Sequence, residues 1–433
     1  MLRLPGRPVT FLLTGFTWLL LASLAGMAIL VGLVRGTPLP SWLRLAHTHA
    51  ALVGGVAQMI LGGFLVFIPP LLMTGQHRKE SHPVLLLAIN AGALGMVAGF
   101  GLRNYQIVGA SGLLVVASFL WIARDAWTQA RTSLNSPPLN LWFYAIALFA
   151  LLGGLACGET MAFRFTQESY GYVRLAHIHL NILGFITLAI VGTMHNLLPT
   201  VLNAPLYSPK LARAVLVLLP LGLALLIGGF LNSSVIVEMA AGGVLVVTAT
   251  LYAVNLFRTW LASSHKGGAA SDHLLIGTFF LLVTLVLGTL VAANNLHEQP
   301  VMPFGSLHLV AYTHMALIGF ILQTIIGALS HLLPITLAVR RVQSNKKRGA
   351  YLDRLTAIID RWRTIQIMGL SLGTMGLALL ASLTWNVPLS SPTIQIATWS
   401  CVGLLLGSLT LFSVKLAALL GAPPEEEDQP AST

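Results

Sequence analysis

Five histidines stand in three similar places in apolar sequence: His47 and His49 in Arg44-Leu-Ala-His-Thr-His, His177 and His179 in Arg174-Leu-Ala-His-Ile-His, and His314 in Ala311-Tyr-Thr-His. An imidazole in an apolar run is costly without a partner, so it tends to face a bundle interior or a cofactor. Two residues along an α-helix is a rotation of about 200°. His47 and His49 therefore point to opposite neighbours, as do His177 and His179, and one helix can serve two separate centres. The His-x-x-x-His spacing would instead bring both rings to one face. Neutral imidazoles bind haem iron or copper, and a flat porphyrin fits between facing helices. Haem, b-type because no Cys-x-x-Cys-His occurs, is the first candidate, with copper the second.

Arg44 and Arg174 precede these motifs and could pair with haem propionates through charge-assisted hydrogen bonds. The alternative is an interfacial arginine that snorkels. A second layer of candidate metal ligands lies towards the other membrane face. His195 follows His177 by 18 residues, five α-helical turns, which predicts the same face about 27 Å further along. His331 lies at similar depth after His314, so the two could hold an inner haem or metal. His308 is an alternative outer ligand. His77, His82, His265, His273 and His297 fall in loops or at helix ends and read as solvated. Glu238 is the clearest buried acid.

The segments carrying these histidines align without gaps. Each has Gly five residues after the last histidine of its motif (Gly54, Gly184, Gly319), Gly at thirteen (Gly62, Gly192, Gly327) and Pro at twenty (Pro69, Pro199, Pro334). Agreement at fixed offsets in three places marks an internal repeat, and repeats in membrane chains place sites at their interfaces. Packing against a neighbouring helix accounts fully for the glycines. It accounts less well for the histidines.

The elements that must position them are membrane helices. Of 433 residues 56% are hydrophobic and 9% charged, against roughly 25% charged in soluble domains. Twelve apolar runs are long enough to cross a bilayer: about Phe11 to Val34, His47 to Leu72, Pro83 to Leu102, Val108 to Trp127, Leu141 to Phe163, Leu175 to Leu198, Ala212 to Leu231, Val235 to Phe257, Leu274 to Ala293, Ser306 to Leu333, Ile365 to Leu383 and Thr393 to Leu420. The expected fold is all-α integral membrane, twelve helices in three pseudo-symmetric four-helix units spanning 1–130, 131–267 and 268–420, with an acidic disordered tail over 421–433. The histidine motifs then fall on helices 2, 6 and 10.

The first run could be a signal peptide, but it is long and lacks a clear cleavage site, so it reads as a retained helix. A cytoplasmic N-terminus puts 19 of the 24 basic residues inside, Lys415 among them, and leaves only Arg35, Arg44, Arg103, Arg164 and Arg174 outside. The positive-inside rule thus predicts both termini in the cytoplasm, in a bacterial inner membrane. The net charge of +11 follows from this topology, since the charges form no stripe suited to nucleic acid. The loop from about Leu337 to Thr364 reads as an amphipathic surface helix whose basic residues face anionic lipid. Cys157 and Cys401 lie far apart in apolar runs and suggest neither a disulfide nor a zinc site.

Twelve helices in three arcs, with histidines on helices 2, 6 and 10, resemble subunit I of the haem-copper oxidase superfamily, nearest its cytochrome cbb-type oxidase and nitric oxide reductase branch. His47-Thr-His49-Ala-Ala-Leu-Val-Gly54-Gly also looks like the His-x-His helix of the NnrS family, haem- and copper-containing membrane proteins linked to nitric oxide metabolism. The oxidase resemblance implies a low-spin haem between helices 2 and 10, with His47 or His49 facing His314. It implies a reactive haem held from helix 10, where the family's His-x-His is here Tyr312-Thr-His314, so that ligand is replaced or displaced to His308. It implies a copper ligand on helix 6, at His177 or His179. The sequence departs from the family where helix 7 has no histidine and where no arginine pair stands between helices 11 and 12.

The leading expectation is a haem-binding electron-transfer protein of a respiratory chain, an oxidoreductase acting on oxygen or nitric oxide at a modified haem-metal site. Its electrons would come from a partner subunit, a cytochrome or a quinol. The alternatives are a non-catalytic haem or metal sensor or assembly factor, and a secondary transporter.

Overall fold

The computed structural model describes residues 7–73, 82–133, 136–265, 267–294, 296, 308–384 and 386–424, apart from the side chains of 308–310. Lys266, His77, Arg78, Lys79, His297, the side chain of His308 and the acidic tail lie outside the described residues. Among the described residues twelve helices are long and apolar enough to span a bilayer: helix 1 (Pro8–Val34), helix 2 (Trp42–Leu71), helix 3 (Pro83–Gly101), helix 4 (Tyr105–Thr132), helix 5 (Leu139–Ala162), helix 6 (Tyr170–Val201), helix 7 (Pro209–Leu231), helix 8 (Val235–Ala262), helix 9 (Ala269–Asn294), helix 10 (Ala311–Arg341), helix 11 (Arg363–Leu383) and helix 12 (Pro392–Gly421). The chain is an integral membrane protein.

Helices 2, 6 and 10 are the inner ones, with 67, 61 and 72% of their apolar windows buried, against 22 to 50% for the other nine. Lipid is as apolar as leucine, so close packing rather than the hydrophobic effect holds such a bundle together. The repeated glycines supply that packing. Gly54, Gly184 and Gly319 meet Trp18, Ala150 and Phe280, each on the first helix of its own unit. Gly62, Gly192 and Gly327 lie against Phe11, Phe143 and Leu274 on the same three helices. The first helix of each unit also packs on the last helix of the unit before it, and the Phe16–Phe412 ring contact at 5.4 Å joins helix 1 to helix 12. The three units thereby close into a ring.

A Cβ on Gly192 would sit 2.5 Å from Phe143 Cβ, whereas one on Gly403 meets nothing within 4 Å. Gly192→Val is therefore expected to destabilise the protein by about 1–3 kcal/mol through overpacking, and Gly403→Ala to be neutral or slightly stabilising. Thermal unfolding of the detergent-solubilised variants compares them, and equal shifts would contradict this account of the glycines.

The inner helices share a feature that residue types did not announce. Directly after the last histidine each one widens into a π-helix of eight residues, Ala50–Ala57, Leu180–Thr187 and Met315–Leu322. Hydrogen bonds from i to i+5 are less favourable than α-helical ones, and such segments concentrate at functional sites. Each also rotates everything downstream relative to the histidines.

The basic connection between helices 10 and 11 is helical from Asn345 to Asp360, after helix 10 has run on to Arg341. Its apolar face, with Tyr351, Leu355 and Ile359, is buried against helices 10 and 12. Arg341 clamps it there, donating to Tyr351 Oη at 2.8 Å and to the carbonyls of Leu420 and Ala422 at 2.7 and 2.6 Å. The surface helix thus docks on protein, while Lys346, Lys347, Arg354 and Arg361 remain exposed.

Candidate haem-binding site

Four of the five histidines are held in one way. Nδ1 of His47 lies 2.7 Å from Ala22 O and Nδ1 of His177 lies 2.7 Å from Gly154 O, carbonyls of helices 1 and 5. His49 and His179 reach the carbonyls of Leu45 and Leu175 one turn back, both at 2.9 Å. A carbonyl only accepts, so each Nδ1 must carry the proton and each Nε2 keeps its lone pair. That tautomer, fixed by a backbone carbonyl, is the one in which metal-binding histidines are held. All four rings remain partly open.

The two histidines of each pair face opposite ways, as their spacing predicts. His47 turns to helix 1, where its ring packs on Gly26, and His177 turns to helix 5 and Gly158. His49 lies against Phe100 of helix 3 at 4.7 Å, and His179 against Phe230 of helix 7 at 4.8 Å. In the third unit Tyr312 takes the corresponding place and packs on Gly288 of helix 9. These three glycines escaped the sequence alignment because they stand at unequal distances from the ring each supports.

The opposed rings meet across unit boundaries. His49 and His177 have ring centres 6.4 Å apart and planes 22° from parallel. Tyr312 Oη lies 3.4 Å from His179 Nε2, joining the third unit to the second. His314 ends the α-helical turn before the third π segment. Arg44 and Arg174 are exposed, consistent with either role considered for them.

The inner layer differs from expectation. The π segment between His177 and His195 breaks the count of five α-turns on which their common face was predicted, and both rings still reach helix 5, His177 at Gly154 and Gly158 and His195 at Phe143. His195 is buried between Phe143 of helix 5 and Tyr252 of helix 8, each ring 5.5 Å away, and neither of its nitrogens has a hydrogen-bond partner. No ring contact joins it to half-buried His331 among the described residues.

His273, expected to be solvated, is wholly buried because helix 9 begins at Ala269 and carries it into the bundle. It belongs to a chain of hydrogen bonds that all run one way. Lys415 Nζ donates to Gln366 Oε1 at 2.7 Å, and Gln366 Nε2 donates to His273 Nε2 at 3.1 Å. His273 Nδ1 then donates to Gln323 Oε1, and Gln323 Nε2 to Ser371 Oγ at 2.9 Å. Lys415, counted above with the topology-setting charges, is thus an interior residue only 5% exposed. Glu238 proves to be a partly open residue in the first turn of helix 8, whereas Glu159 buries an unpartnered Oε2 against Gly109 of helix 4.

Among the described residues no group of three or more His, Cys, Asp or Glu side chains could hold a metal ion. A bare ion wants three or four protein ligands. Haem iron takes four from its own macrocycle and asks the protein for one or two axial ones. Facing pairs of ring ligands fit haem.

Residues 138–304 match the family model of cytochrome c and quinol oxidase polypeptide I, a stretch that includes His177 and His179. A solved heme-copper terminal oxidase, determined as a dimer, superposes with a TM-score of 0.70 over 96% of this chain and 84% of that chain, at 13% identity. This is the fold of haem-copper oxidase subunit I. No curated protein matches the sequence. At that identity the likeness is one of fold, and it extends over nearly the whole architecture of the chain.

Proposed function

We propose that this chain binds haem and carries electrons within the membrane, as a subunit I-like protein with a modified reactive site. The observation that carries the reading is the shared state of His47, His49, His177 and His179, each with Nδ1 tied to a carbonyl and Nε2 left as a ligand. His47 and His314 would hold a low-spin b-type haem between the first and third units. The approach of the His49 ring to His177, with centres 6.4 Å apart, supports choosing His47 rather than His49 as the partner of His314. His179 and Tyr312 face each other between the second and third units and form the modified site, where a phenol replaces an imidazole on helix 10. A haem held by His179 would supply one-electron and diatomic-gas chemistry there, and the phenol, its oxygen 3.4 Å from His179 Nε2, is suited to donate a proton beside it. The substrate is oxygen or nitric oxide, and the donor a membrane quinol or a cytochrome. The protein sits in a bacterial inner membrane with both termini cytoplasmic.

A reduced-minus-oxidised spectrum of the purified protein, with metal analysis, tests the reading, and a preparation without a Soret band would end it. Tyr312→Phe is expected to leave the low-spin bands in place while removing most of the carbon monoxide-reactive haem. An unchanged carbon monoxide spectrum would take Tyr312 out of the site. A second reading, a non-catalytic haem sensor or assembly factor, draws on helix 7 having no histidine. Stoichiometric haem without turnover of oxygen or nitric oxide would favour it. Transport is disfavoured, since the inner helices run continuously over 30 to 32 residues where transporters break theirs at the midplane.

A further inference from the structure

Beyond the pairings of helix 2 with helix 10 and of helix 6 with helix 10 lies a third meeting of rings, on helices 2 and 6. We infer that the boundary between the first and second units is a separate haem site, with His49 and His177 as its two axial ligands. The inference rests on the haem-binding reading above and adds a location to it.

Two imidazoles on opposite sides of one metal, each nitrogen about 2 Å from it and about 1 Å from its own ring centre, place those centres about 6 Å apart. The observed 6.4 Å with planes 22° from parallel has that spacing. The rings come from different units and are fixed independently, His49 by Leu45 O on its own helix and His177 by Gly154 O of helix 5. Among the described residues neither Nε2 has a hydrogen-bond partner, unlike that of His179, which meets Tyr312. Phe100 backs the His49 ring and Gly158 admits the His177 ring, so both positions are shaped by neighbours rather than free to swing. With no third ligating side chain grouped there among the described residues, two donors are what those residues offer, and haem is the group that needs two. The site follows the repeat: the second ring of the first unit meets the first ring of the second unit here, His49 with His177, as His179 of the second unit meets Tyr312 of the third.

Haem content per chain, by pyridine haemochrome assay on the full-length detergent-solubilised protein, tests the assignment alongside the low-spin electron paramagnetic resonance signals. His49→Ala and His177→Ala should each remove one haem equivalent, and the double variant should remove no more than either single one. His314→Ala combined with His177→Ala should remove two. Unchanged haem in both folded single variants would overturn the proposal, as would additive losses from His49 and His177, or loss of copper with haem intact. If the alanine variants fail to fold, His177→Met retains an axial donor and should shift the α-band of one haem, while an unaltered spectrum would again overturn it. Wild-type protein without haem sinks the broader reading, whereas wild-type haem indifferent to both residues sinks this one alone.

Discussion

His314→Ala is expected to remove one low-spin haem per chain, and His47→Ala to remove the same one. The ring of units supplies the reason. The structure pairs His49 with His177 and His179 with Tyr312. His47 faces helix 1, which packs on helix 12 of the third unit, so it stands on the side that the repeat assigns to His314. Groups that merely orient a metal-binding histidine are worth about 10- to 100-fold in metal affinity, and removing the ligand itself costs more. Haem content should therefore fall by a whole equivalent, with its low-spin resonance, while the haem of His49 and His177 stays. His47→Ala and His314→Ala together should lose no more than either alone. Additive loss, or retention of the signal in both, would show that these two residues do not share a haem.

The second large effect is expected at Lys415 on helix 12. Its ammonium group donates to Ile359 O at 2.8 Å and Gln366 Oε1 at 2.7 Å from a buried position on helix 12. Charge-assisted hydrogen bonds are worth about 1.5–3 kcal/mol each, and unsatisfied buried acceptors carry a cost of similar size. Lys415→Ala would leave both oxygens without their donor and uncouple helix 12 from the chain that runs through Gln366 and His273. A loss of roughly 2–4 kcal/mol is expected after allowing for the cost of burying the lysine. Thermal unfolding in detergent measures it. His273→Leu should show part of the same loss, and the Lys415 and His273 substitutions should be less than additive because they break one chain. A Lys415→Ala protein as stable as wild type would mean that the chain fastens nothing.

The opposite orientation of His47 and His49 was legible from their spacing alone, because both precede the π segment and lie on ordinary α-helix. The burial of His195 between Phe143 and Tyr252 was not, since it depends on where helices 5 and 8 lie. His273 and Lys415 were misjudged for a related reason. Both stand near the ends of apolar runs, where sequence reads an interface, and whether such a residue meets water or Gln366 depends on where helix 11 lies.

The sequence by itself determined that this is a membrane protein of twelve helices with a threefold repeat and five histidines on three equivalent helices. Length and apolarity decide membrane insertion locally, and the repeat is written directly in the residues. Only the tertiary structure decided which rings meet, that Tyr312 confronts His179, that the ring of His49 stands 6.4 Å from that of His177, and that Lys415 and His273 lie inside. Those pairings join segments more than a hundred residues apart, or helices of a single unit whose mutual placement is set by glycine contacts and widened turns. They are properties of how whole helices pack, and no local pattern of side chains encodes them.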